Sequence, residues 1–466
     1  MEKTYKLFEI LLVLDEKAVR QVRKMLRSPF FAYRDGLQLL FETALKYLKK
    51  KQIQPSLAQL HLHTFPGQDF EATRIRGLMS DLLELLEEWL LIHHWRQDPI
   101  GSRLTLSAIY RQKQLEKSFQ SSIRKSSRLL QSYPLRNQDY YRWTLQLHEE
   151  KMIHQSASRR TEDLYFQEIS ENTDITFLIR KLKNACSLLT HQSVYKTEYD
   201  FGLLDFFIDH IEESAYMEVP AVAVYYYCFR FLQEEDSLTY FQQFKHTLTQ
   251  HRQQFATEDL KGAFLLGINF CIKQLNKGFR AYAREGLELY KEGIAQDILL
   301  ENNQITRFTY NNIVAMALFL KDFDWLHHFI DTESDHLEPS YKQATISFNK
   351  ARLAFAQKAF GQALVHLQSA EYKDLVNNLI SKLLLVQIYY ELEEVSSLES
   401  HLDSFQQFIR RREVSDYHRR NFMNIIGYVR RLMAIPAYDK GKRAELRAQI
   451  EAEQVLSVRD WLLAKI

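Results

Sequence analysis

Apolar positions three and four residues apart run through most of this chain. Asp15 stands where it caps a helix reaching Arg27, and Val19, Val22, Met25 and Leu26 share one face of that helix. Ser28-Pro29 stops it, because the residue before proline avoids helical geometry. A helix is predicted over 37–50 and a short one after Pro55-Ser56, and Pro66-Gly67 breaks the chain again. Leu78, Leu82, Leu85, Trp89 and Ile92 form the stripe of a long helix over 70–95, ended by Asp98-Pro99. One further long helix is predicted over 104–131, stopping before Pro134.

Behind this the pattern becomes periodic. Cys186, Cys228 and Cys271 lie 42 and 43 residues apart, each late in an apolar helix that ends in a polar turn. A second amphipathic helix follows each turn, over 203–211, 238–248 and 282–290. The same helix-turn-helix unit is predicted over 311–330, 345–370 and 379–409. A period of roughly 34–43 residues with two helices per unit is the sequence signature of a helical solenoid, because one hairpin cannot bury its apolar face alone.

Composition supports helices. Only 13 Gly and 8 Pro occur in 466 residues, well under ordinary usage, so few residues are spent on the turns that sheets need. With 46% hydrophobic and 13% aromatic residues the chain can bury a large core. No stretch has the roughly 18 apolar residues of a membrane helix. The net charge of +2 hides an asymmetry. Residues 1–160 carry 27 Lys and Arg against 17 Asp and Glu, net +10, and the remainder carries 34 against 42, net −8. Two functional regions are expected, a basic N-terminal helical module over 1–160 and a repeat region over 161–466. Three cysteines in apolar runs, with no C-x-x-C, read as buried thiols in a reducing, cytoplasmic compartment.

Candidate chemistry is sparse. His93-His94 and His327-His328 are adjacent pairs, whose side chains point about 100° apart on a helix and do not converge on one metal. No zinc-type, phosphate-loop, dinucleotide or nucleophile-elbow motif occurs. No catalytic residue, metal or cofactor is therefore assigned, and a non-enzymatic protein is expected. Two basic stripes stand out. Lys17, Arg20, Lys24 and Arg27 share one helical face, as do Lys117, Arg124 and Arg128, with Lys125 beside them. Such stripes neutralise nucleic-acid phosphates or serve as solvated faces.

Tyr310-Asn311-Asn312-Ile313 followed by Leu320-Lys321-Asp322-Phe323-Asp324 resembles a tetratricopeptide repeat. Phe360, Ala363, Leu367 and Ala370 match the aromatic-x-x-Ala-x-x-x-large-x-x-Ala pattern of that repeat's second helix. The likeness is clearest over 305–410. The Trp and Gly of the family's first helix are missing there, and proline does not close the units. The whole chain also resembles a group of large helical proteins of Bacteroidota type, through Ser28–Phe31 (Ser-Pro-Phe-Phe) and Trp461–Ile466 (Trp-Leu-Leu-x-Lys-Ile).

The tetratricopeptide resemblance implies a concave wall where a first-helix asparagine binds the backbone or terminal carboxylate of a peptide. Aligned on Ala283, Leu326 and Ala363, the matching residues are Asn269, Asn312 and Asn349, each 14 positions earlier. Arg352 would share that groove and pair with a carboxylate, and Gln387, 35 residues on, would continue the row. Asn269, Asn312, Asn349 and Arg352 are expected to be exposed and free of intramolecular partners that fully use their polar groups. The chain thus reads as an all-α protein, an α-solenoid with an N-terminal helical module, that binds a protein or peptide partner. The alternative is a nucleic-acid-binding regulator whose repeats sense a peptide.

Overall fold

The structure is a computed structural model that describes residues 5–31, 34–50, 54–156, 164–195, 197–234, 238–368, 375–436 and 438–466. It is all-α and 80% helical. Among the described residues there is no strand, only the isolated bridges Glu301–Gln304 and Ile305–Leu337. None of the described helices is long and apolar enough to cross a membrane. The chain packs as two units, residues 1–185 with 200–223, and residues 186–199 with 224–466. The expected boundary at 160/161 lies outside the described residues.

The first unit opens with five helices, Lys6–Val13, Glu16–Leu26, Leu37–Leu45, Leu57–Thr64 and Ala72–Gln97. Their apolar stripes close one core around Phe8, Val22, Phe41, Leu60, Leu78 and Leu82. The starts are capped as the sequence suggests. Asp15 accepts from the Ala18 amide at 2.6 Å, and Ser56 and Gln59 form a reciprocal capping box. Gly36 has φ +94° and faces Leu78 and Thr64, so a side chain there would be strained and crowded.

A second core in this unit belongs to a bundle of three helices, Pro99–Gln112, Glu116–Ser132 and Gln138–Ser156, built on Leu104, Phe119, Ile123, Leu130, Trp143 and Leu147. The single helix expected over 104–131 is in fact two, folded back on each other at Lys113-Gln114-Leu115. No Pro or Gly marks the break. Gln114 takes the left-handed conformation, φ +56°, and small buried side chains let the two helices approach. The Ser107 hydroxyl donates to the Ser122 hydroxyl at 2.9 Å in the contact so made.

In the second unit consecutive helices pair: Thr257–Asn276 with Ala281–Ala295, Arg307–Leu320 with Phe323–Thr332, Pro339–Ala356 with Phe360–Gln368, and Leu375–Glu391 with Val395–Arg411. First helices also stack in series, Arg307–Leu320 on Pro339–Ala356 and that helix on Leu375–Glu391. The four turns are alike. Gly278, Lys321, Lys358 and Glu393 all have positive φ, between +58° and +99°. The next amide in each bonds back to the carbonyl five residues earlier: Phe279 to Gln274, Asp322 to Ala317, Ala359 to Ala354 and Glu394 to Tyr389, at 2.8–3.0 Å. This is the Schellman closure of a helix end. Gln114 makes the same turn in the first unit, with Leu115 bonding to Tyr110 at 2.8 Å.

Five residues beyond each left-handed position stands a buried side chain: Phe119, Ala283, Leu326, Ala363 and Leu398. The register read on Ala283, Leu326 and Ala363 is therefore the register of the turns. Ala363 is completely buried among Phe348, Ala351, Leu367 and Ile388, whereas Ala370 lies outside the described residues. Close approach elsewhere relies on glycine, with Gly286 against Met316 and Cys271. All three cysteines are buried and unpaired. The Cys186 thiol donates to the Tyr225 carbonyl at 3.6 Å, and burial pushes the Cys228 and Cys271 thiols well up.

Candidate peptide-binding site

Helix Arg307–Leu320 buries Tyr310, Ile313, Val314 and Ala317. On that helix Asn312 lies one turn from the buried Met316, on the side of the preceding helix Ala281–Ala295, and Asn311 points toward the next first helix. Helix Pro339–Ala356 lies there and carries Thr345, Phe348, Asn349 and Arg352. Asn349 is wholly buried. Its Nδ2 donates to Asn311 Oδ1 at 2.7 Å and to the Thr345 carbonyl at 2.9 Å. Its own Oδ1 accepts from Arg352 Nη1 at 3.1 Å, and the same nitrogen donates to the Asn311 carbonyl at 3.3 Å. The guanidinium stands over the Phe348 ring, 5.5 Å from its centre.

Arg352 is partly buried and has no carboxylate partner among the described residues. Burial lowers its pKa to about 10, so it remains charged at neutral pH. Nε and Nη2 keep donors with no partner among the described residues. A fixed guanidinium with free donors on one edge is suited to receive a carboxylate.

The expected row of exposed amides is thus corrected in part. Asn269 and Asn312 are exposed, but Asn312 hydrogen-bonds the Tyr290 hydroxyl. Asn349 and Gln387 are buried. Sequence spacing paired Asn349 with Asn312, while the structure pairs it with Asn311. One residue turns a helical side chain by about 100°, enough to move an amide from solvent into the helix–helix contact.

A cavity of about 860 Å³ lies elsewhere in the second unit. Several of the charges that line it are engaged internally: Glu391 accepts from Trp461 Nε1 at 2.9 Å and pairs with Lys465 at 2.5 Å, and Arg430 pairs with Asp403 at 2.5 Å. Trp461 and Lys465, read as part of a terminal motif, therefore clasp the helix Leu375–Glu391.

The basic residues of the alternative reading all lie in the first unit. Lys17, Arg20, Lys24 and Arg27 are exposed, opposite the buried Ala18, Val22 and Met25. Arg20 Nε donates to the Glu16 carbonyl at 3.2 Å, and none of the four has an acidic partner among the described residues. Lys117, Arg124 and Arg128 are exposed on the helix Glu116–Ser132. The two stripes sit on helices of different cores. No group of three or more metal-binding side chains occurs among the described residues.

Compared with known proteins, the chain matches no family model, no curated protein and no solved structure.

Proposed function

We propose that the second unit is a peptide- or protein-binding scaffold of tetratricopeptide type, acting by recognition rather than catalysis, with Arg352 as the charged anchor for an acidic group of the partner. The hairpins would stack as a helical solenoid, and the partner would lie along its first helices. The observation that carries this reading is Arg352. Its guanidinium is fixed by Asn311 and Asn349, partly desolvated, and without a counter-ion among the described residues. A carboxylate ligand would find there a cation already oriented. Asn269 and Asn312, exposed on preceding first helices, supply amide donors and acceptors along the same path.

The test is a random-peptide array probed with the full chain and with Arg352→Gln. The full chain is expected to enrich peptides bearing Asp, Glu or a free C-terminal carboxylate. A charge-assisted bond contributes about 1.5–3 kcal/mol, so Arg352→Gln should weaken the best binders by roughly 10- to 100-fold. Equal binding by both proteins would remove the reading.

A further inference from the structure

We infer that the three-helix bundle of residues 99–156 has a binding face of its own, on the solvent side of the helix Glu116–Ser132, that takes the phosphate backbone of a nucleic-acid duplex. The argument is independent of Arg352 and concerns the other unit.

The helix buries Phe119, Ser122, Ile123, Ser126 and Leu130 on one side. Lys117, Arg124 and Arg128 stand diametrically opposite, with Lys125 next to them, and all four are exposed. None has an acidic partner among the described residues. Cations of the bundle that do have partners show what an engaged one looks like: Arg111 holds Glu150 at 2.8 and 3.1 Å, and Arg142 holds Asp139 at 3.0 Å. The helix has one carboxylate, Glu116, and it is drawn aside to His154 at 2.7 Å and Gln120 at 3.1 Å. Residues 99–138 contain eight Lys and Arg and that single acid. The field over this face is therefore uncompensated locally, which is the footprint of a polyanion site.

The side chains choose among polyanions. Between Lys117 and Arg128 both large apolar residues, Phe119 and Ile123, are buried. A lipid surface would need apolar side chains to insert, and a single strand would need rings on which bases stack. This face presents neither. It offers point charges and the short polar Ser121 along about 16 Å of helix. That is the equipment for contacting duplex phosphates, which fixes position without reading sequence. The Gln114 turn and the Ser107–Ser122 contact hold the helix rigidly on its neighbour.

The test uses the full chain, fluorescence anisotropy and four probes: a 20-base-pair DNA duplex, the RNA duplex of the same sequence, a 20-nucleotide single strand, and phosphatidylcholine/phosphatidylserine vesicles. Affinity is measured against salt for the native chain, for Lys117→Ala/Arg124→Ala/Arg128→Ala, and for Lys17→Ala/Arg20→Ala/Lys24→Ala, which removes equal charge from the other helix. Each phosphate contact contributes about 0.9 to the slope of log affinity against log salt. The first triple variant should lower the slope for a duplex by about 3 and leave the melting temperature unchanged, and the second should leave the slope intact. The DNA and RNA arms tell which duplex is preferred. An unchanged slope, equal loss in both triple variants, or tighter binding to the single strand or vesicles than to either duplex would overturn the inference.

Discussion

Asn349 Nδ2 donates to Asn311 Oδ1 at 2.7 Å across two stacked helices, and the same Asn349 accepts from Arg352. The first contact joins one hairpin to the next. The second orients the guanidinium that the hairpin presents. Stability and recognition are thus coupled through one buried amide.

Replacing that amide should be costly. Asn349→Leu removes both contacts and leaves Asn311 Oδ1 and one guanidinium donor without their partner. The expected loss is about 1–3 kcal/mol, read from chemical denaturation. Asn269→Ala, at an exposed position, should change stability by only about 0.5 kcal/mol. Equal effects at the two positions would mean that Asn349 is not the joint between these hairpins.

The shared turn yields a prediction of opposite sign. Lys321, Lys358 and Glu393 occupy left-handed positions that cost an L-residue about 1 kcal/mol or more and glycine little. Lys358→Gly and Glu393→Gly should each raise stability by about 0.5–1 kcal/mol. Gly278→Val should destabilise, because a β-branched residue tolerates positive φ least. Denaturation midpoints of the three variants check this directly.

His401 gives a pH dependence. Its ring nitrogen Nε2 donates to the Lys382 carbonyl at 2.9 Å, and burial holds its pKa below the ordinary value of 6.5. The unfolded chain therefore takes up a proton before the folded one does. Stability from this group is intact above about pH 6.5 and is lost as pH falls from there toward the folded value. His401→Gln should flatten that part of the stability–pH curve measured by denaturant titration. A curve of unchanged slope would show that His401 protonates equally in both states.

Much of the fold was legible along the chain. The 3-4 spacing of apolar residues marked most helices, since burial of one face is what stabilises a short helix. The register on Ala283, Leu326 and Ala363 proved to be that of the turns. The turn at Gln114 left no mark along the chain, because its left-handed residue is a glutamine and no Gly or Pro stands beside it. Lys321, Lys358 and Glu393 are concealed in the same way.

The sequence by itself determined that this protein is helical, that its hairpins recur at intervals of 43, 37 and 35 residues, and which residue types line each helix. Those properties follow from local periodicity and composition. Only the tertiary structure decided that Asn311 and not Asn312 meets Asn349, and that Asn349 in turn orients Arg352. It also decided that the helix over 104–131 is two helices. The physical reason is rotational: neighbouring residues on a helix differ by about 100° in direction. Whether an amide lies in solvent or in a helix–helix contact depends on where the next helix packs, and spacing along one chain does not encode that.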